Sequence, residues 1–198
     1  MSIIERCNDG AIENQTLCPK ISARTPSRKG LAQMLRESAQ TIALAILVFL
    51  FTISFIAQGY RVYGSCMEPN LRTGERLLGS KLAYKLRSPA RGDIVVFKCP
   101  QDRSQIYIKR VIGLPGELVE IRDGVVSING KRLSEPYLTH IPHGSYRAGV
   151  VKNDYLFVMG DYRDCSNDSR FWGQLPVSDI QAKAWVRYWP LQRASALR

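Results

Sequence analysis

The sequence is short of histidine and of paired cysteines. Its two histidines, His140 and His143, lie close together in a loop with Pro142 and Gly144. A histidine-based triad needs a ring held by a third group, and nothing in the local sequence orients either one. The five cysteines, Cys7, Cys18, Cys66, Cys99 and Cys165, are odd in number and form no CxxC pair. That argues against a dense disulfide framework and against a four-thiolate zinc site. Zinc-finger spacing, an RNP-like aromatic motif, a basic helical stripe and internal repeats are all absent, so nucleic acid is not an expected partner.

Negative charge is also scarce. Asp and Glu number 17 against 28 Lys and Arg, a net charge of +11. Nucleic acid, an anionic lipid surface and simple solubility compete to explain such a balance. The lipid reading is favoured, because a domain held against anionic headgroups gains about 1 kcal/mol per well-placed Lys or Arg. Hydrophobic residues make up 45% of the 198, enough for one packed domain with a short appendage.

Charge is missing altogether from one stretch. Ser38 to Tyr60 holds no Asp, Glu, Lys or Arg, and about 20 apolar residues are enough for a helix to cross a bilayer. Thr41, Thr52 and Ser54 make no consistent polar face, which argues against a core helix. The run is too long, and starts too far in, for a cleavable signal peptide. Residues 1–37 read as a flexible polar tail and 38–60 as a transmembrane helix. Lys20, Arg24, Arg28, Lys29 and Arg36 precede the span and favour a cytoplasmic N-terminus. Residues 61–190 then form an extracytoplasmic domain, with 191–198 as a C-terminal tail.

Within that domain the pattern becomes short strands between turns. Strands are expected at Glu75–Leu78, Asp93–Lys98, Ile106–Gly113, Glu117–Arg122, Val125–Ile128, Tyr155–Met159 and Ala184–Trp189. Asp123-Gly124 and Asn129-Gly130 mark tight turns, the second a strong two-residue hairpin signal. One brief helix is expected around Lys81–Leu86, and Ser134–Asn153 reads as a loop excursion. The fold class is mainly β, a barrel or sandwich.

Three stretches carry the chemistry. Val62 to Leu71 places Cys66 directly before Met67-Glu68-Pro69. Tyr107 to Gly116 sets Lys109 inside an apolar strand and ends Gly113-Leu114-Pro115-Gly116. The third runs from Gly160-Asp161-Tyr162-Arg163 through Ser166-Asn167-Asp168-Ser169-Arg170 to Trp172-Gly173. A lysine in water has a pKa of about 10.4 and is no base at neutral pH. Burial disfavours the ammonium, and Ile106, Tyr107, Ile108, Val111 and Ile112 are placed to supply it.

In order and spacing these stretches resemble the bacterial signal peptidase I family, membrane-anchored serine proteases with a serine–lysine dyad. The resemblance covers roughly residues 40 to 190. It implies a signal-peptidase-like all-β barrel, Lys109 as general base and Ser166 as the hydroxyl that orients the amine. Asp161, Arg163, Asp168 and Arg170 become supporting ion pairs, and Trp172 a core residue. Expected partners are preprotein signal peptides with small residues at the third and first positions before the cut, membrane lipids and the export machinery. No metal or cofactor is implied.

The departures from the family pattern matter as much. Cys66 stands at the position of the nucleophilic serine, and Met67-Glu68-Pro69 fixes that register against Ser65. Asn70 stands where the family usually has threonine. Gly64 stands where some members carry a serine that aids the oxyanion hole, which leaves the Cys66 backbone N–H as main donor. A free thiol, with a pKa of about 8.5, can pass its proton to a neutral amine. A cleaving cysteine variant, a slowed or inactivated chain, and a silent relative that binds preproteins without cutting all stay open. The self-cleaving repressor group also uses a serine–lysine dyad, but its members are soluble. Cys165, next to Ser166, is a candidate to pair oxidatively with Cys66.

Overall fold

The computed structural model of the chain describes residues 28–140 and 142–197. The expected tail therefore lies largely outside the described residues, Cys7 and Cys18 included. The chain divides into two compact units, one ending at Ile46 and the other starting at Leu47.

Helix α1 (Arg28–Ile56) begins within the expected tail and ends before the expected span does. Its Gln33–Thr52 segment is long and apolar enough to cross a membrane. Every large apolar side chain from Ile42 to Phe51 is more than half exposed, unlike those of a core helix. Thr41 and Thr52 donate their hydroxyls back to the carbonyls of Glu37 and Val48 at 3.0 and 2.8 Å. This leaves no hydroxyl hydrogen to satisfy elsewhere.

The second unit is built from antiparallel strands. They are β1 (Ala57–Arg61), β2 (Arg76–Ser80), β3 (Ile94–Lys98), β4 (Ile106–Gly113), β5 (Leu118–Arg122), β6 (Val125–Ile128), β7 (Lys131–Arg132), β8 (Tyr146–Val150), β9 (Tyr155–Met159), β10 (Leu175–Pro176), β11 (Ile180–Trp189) and β12 (Ser195–Ala196). Two short helices join them, α2 (Ala83–Leu86) and α3 (Ser169–Trp172). One sheet runs β1-β2-β11-β3-β4-β9-β10, with β12 on β11, and the other runs β7-β6-β5-β8. Residues Asn129 and Gly130 both adopt positive φ, 51° and 77°, as the β6–β7 hairpin turn requires.

Four expectations need correction. Residues 28–37 are helical, not tail. Residues 57–60 leave the apolar run to pair with β2, where Tyr60 faces Leu77. Hydropathy does not show where a helical period gives way to a strand, and Gly59 weakens the helix there. The expected loop 134–153 contains β8, paired to β5. The C-terminal residues also fold back. β12 pairs with Val186 and Arg187, and Leu197 packs against the core cluster of Val62, Met67, Leu71 and Leu77. Short, mostly exposed segments such as β8 and β12 carry too weak a pattern to be read as strands.

A second core cluster, Val95, Phe97, Val111, Leu156, Val158 and Leu175, lies under β3, β4 and β9. Trp172 packs on it, with its ring 5.9 Å from that of Phe97. Beneath β5, β6 and β9 a third cluster joins the two sheets through Ile112, Phe157 and Met159. These cores hold β4 rigidly, and β4 carries Lys109.

Candidate active site

The turn carrying Cys66 is pinned by its apolar neighbours. Val62, Met67 and Leu71 are all buried, which leaves Cys66 half-buried between them. Hydrogen bonds from Glu68 N to Ser65 O (2.9 Å) and Leu71 N to Met67 O (2.8 Å) close the turn. Gly64, at φ 84°, starts it, and the Gly64 carbonyl accepts from Thr73 Oγ1 at 2.9 Å. A left-handed φ of this kind suits glycine. The Cys66 N–H donates none of the backbone hydrogen bonds that close the turn.

From this turn the Cys66 sulfur reaches the lysine strand, with Sγ 3.9 Å from the carbonyl oxygen of Ile108. Ser65 points elsewhere, its Oγ 3.6 Å from Cys165 Sγ. Cys66 and Cys165 are both free thiols here.

Lys109 pairs with Val95 across β3 and β4. It is only 3% exposed, and its amine lies 5.3 Å from the centroid of the Tyr107 ring. Cys66 and Lys109 line the same pocket of about 630 Å³, with Tyr60, Ile106, Ile108 and Asn167 among its walls. Two strand edges bound it. β1 is the terminal strand of its sheet, and β4 pairs with β9 only from Arg110 onward.

The third stretch closes the site from behind. Tyr162 N donates to Cys66 O at 3.0 Å. Ser166 Oγ is buried and has no hydrogen-bond partner among the described residues. A buried hydroxyl left so costs about 1–3 kcal/mol. Gly160 is where the segments converge. A Cβ added there would lie 2.3 Å from Ser166 Oγ and 2.5 Å from Cys66 O.

The ionic residues act as a frame. Arg110 donates twice to Asp161, at 2.8 and 2.7 Å, with both groups buried. Breaking such a buried pair costs about 3–5 kcal/mol. Asp168 is fully buried, accepts from Gly160 N at 3.1 Å and is forked by Arg170 at 2.8 and 3.0 Å. Arg163 is buried against Glu135, a partner the sequence did not suggest. Asn70 also has an unforeseen role, donating from Nδ2 to Asp161 Oδ2 at 2.8 Å.

Neither histidine joins this site. His140 Nε2 lies 2.9 Å from Asp164 Oδ2, and that contact, followed by the His143 backbone N–H, holds Asp164 below the usual carboxylate range. Among the described residues no group of three or more His, Cys, Asp or Glu could hold a metal ion.

A half-buried thiol and a buried amine in one apolar pocket, with an orphaned serine hydroxyl behind them, can be compared with known proteins. Residues 35–189 match the family described as signal peptidase, peptidase S26. The chain belongs to that family. Among relatives, it is 38% identical over 167 residues to a probable signal peptidase I-2 of Synechocystis sp., covering 81% of this chain and 76% of the relative. A signal peptidase I of Leptolyngbya laminosa is 38% identical over 170 residues, 82% of this chain and 84% of the relative. A signal peptidase IB of Staphylococcus aureus is 31% identical over 168 residues, 76% and 87% of the two chains. A solved signal peptidase I from Enterococcus faecalis V583 is 34% identical, covering 49% of this chain and 97% of that one, with a TM-score of 0.44.

Proposed function

We propose that the chain is a membrane-anchored endopeptidase that removes signal peptides from exported preproteins, with Cys66 as nucleophile and Lys109 as general base. The observation that carries this reading is the seating of Cys66 against the lysine strand, in a pocket that Lys109 also lines. The base role uses the neutral form of the buried Lys109 amine, the form that can take a proton. The Cys66 thiol passes its proton to Lys109 Nζ while sulfur attacks the scissile carbonyl. The leaving amine takes that proton as the C–N bond breaks. Water, deprotonated by Lys109, then hydrolyses the thioester. Ser166 Oγ, unpartnered among the described residues, takes the amine as its partner once substrate is bound, and the Cys66 N–H faces the developing oxyanion.

The free edges of β1 and β4 suit a substrate added as a strand, its main chain supplying affinity and the apolar pocket receiving small side chains. In this reading α1 spans the bilayer, with the basic N-terminal side cytoplasmic and the β domain outside. Excess Lys and Arg suit anionic headgroups, and the export machinery is a further partner.

The full chain, in detergent or liposomes, is expected to convert a preprotein to a product whose new N-terminus follows a small residue, as read by intact-mass measurement. Preprotein that binds and is never cut would instead establish the silent-relative reading. One observation favours that second reading: the hydrogen-bond contact of the Cys66 sulfur is with Ile108 O, not with the Lys109 amine.

Gly160 offers an independent test. In Gly160→Ala the new methyl meets Ser166 Oγ and the Cys66 carbonyl at distances no Cβ tolerates. A displacement of about 1 Å costs on the order of 100-fold in rate. Cleavage is expected to fall by about that factor, with the far-ultraviolet dichroism of the β domain retained.

A further inference from the structure

We propose that Asn70 is a positioning residue that sets the separation between the Cys66 turn and the Lys109 strand, through a carboxylate it shares with Arg110. The proposal rests on the dyad reading above and extends it to a residue outside the pocket lining.

The geometry is a closed cluster. Asp161 receives Arg110 Nε on Oδ1 at 2.8 Å. On Oδ2 it receives both Arg110 Nη2 at 2.7 Å and Asn70 Nδ2 at 2.8 Å. The second Asn70 amide hydrogen goes to the Tyr137 carbonyl at 2.9 Å. The Tyr137 ring in turn stacks on the Arg110 guanidinium, 4.1 Å from the ring centroid. One carboxamide therefore touches the carboxylate and the aromatic residue that hold Arg110 in place.

Arg110 and Lys109 are adjacent on β4. Cys66 and Asn70 are four residues apart on one turn, which Leu71 N→Met67 O closes at 2.8 Å. Asp161 is followed by Tyr162, whose N–H holds the Cys66 carbonyl at 3.0 Å. The turn is thus fixed to the Asp161-Tyr162 segment at two points, one beside the nucleophile and one at Asn70. On its far side the Asn70 carbonyl accepts from Arg187 Nη1 at 2.6 Å. A side chain held at two points, on a residue whose backbone carbonyl is held at a third, transmits its position to the turn. A hydrogen bond to a charged acceptor is also stronger than one between neutral groups.

Chemistry makes the amide specific. Asn70→Asp keeps the shape but replaces the donor with a second carboxylate facing Asp161, and like charges repel. Asn70→Ala removes both donors. Either change lets the turn drift from β4, while Tyr60, Ile106 and Ile108 in the pocket wall stay as they are.

The test uses the full chain and two readouts. In preprotein cleavage, Asn70→Ala and Asn70→Asp are expected to lower kcat by about 10- to 100-fold with KM changed less than threefold. In the second, iodoacetamide modification of the Cys66 peptide is followed by mass spectrometry, which separates it from the exposed Cys165. Thiolate is the reactive form, so Lys109→Ala slows this rate, and Asn70→Ala slows it too. In the Lys109→Ala background, Asn70→Ala adds nothing further, because the amine it positions is gone.

A residue that served only the fold would lower the unfolding temperature, leave the Cys66 rate of the folded protein unchanged and act additively with Lys109→Ala. That result overturns the proposal. If Lys109→Ala is inactive but Asn70→Ala cleaves normally, the dyad stands and the positioning role falls. If the parent chain cuts no preprotein, yet Cys66 reactivity depends on Lys109 and Asn70 together, the positioning role stands and the peptidase reading falls.

Discussion

Lys109→Ala is expected to abolish preprotein cleavage, with turnover falling by about 10³-fold or more. A positioned general base contributes about 10²–10⁴ in rate, and in a dyad neither partner works alone. Removing the amine also strands the proton that the leaving group needs, so both acylation and deacylation stall. The comparison must be made on folded protein. Lys109 is nearly fully buried between Val95 on the neighbouring strand and the pocket, so truncation leaves space but no unpaired charge. A matched unfolding curve with lost cleavage supports the base role. Normal cleavage by Lys109→Ala would end the dyad assignment.

Changes at Cys66 should divide by chemistry. Cys66→Ala is expected to lose activity to the same extent as Lys109→Ala, and the double variant to lose little more. Iodoacetamide should inactivate the parent chain as Cys66 is modified, with Cys165→Ser leaving that sensitivity intact. Cys66→Ser is expected to be insensitive to the reagent and to cleave faster. The reason lies in the tetrahedral intermediate. Sulfur is a better leaving group than oxygen, because a thiol is far more acidic than an alcohol. An ammonium is a weak acid with which to help the amine depart, so a thiolate is often expelled first and the intermediate returns to substrate. A serine oxygen partitions forward instead. Slower cleavage by Cys66→Ser would show that the turn is shaped for sulfur.

Much of the scaffold could be read from local pattern. Short runs rich in Val, Ile and Phe identify β3 to β6 and β9, and Asp123-Gly124 and Asn129-Gly130 mark the turns after β5 and β6. What escaped were segments whose structure depends on a distant partner. β1 continues an apolar run and becomes a strand only by pairing with β2. β8 and β12 are short and mostly exposed, and are strands because β5 and β11 offer edges.

The site divides the same way. Cys66, Lys109 and Ser166 were marked by the company they keep within about ten residues. The Asp161–Arg110 bond spans 51 positions and the Asn70–Asp161 bond 91, and Glu135 meets Arg163 across 28. Each acidic residue had several basic candidates, and no local rule selects among them.

The fold-back of the C-terminal residues onto the turn bears on when the site comes into being. Arg193 donates to the carbonyl of Pro69 at 3.0 Å across 124 positions, and Leu197 belongs to the same apolar cluster as Met67 and Cys66. During synthesis, Cys66 is made long before Arg193 and Leu197, which brace its turn. On the proposed dyad reading, the turn is therefore braced, and the two partners brought to their final separation, only after residues 193–197 have docked.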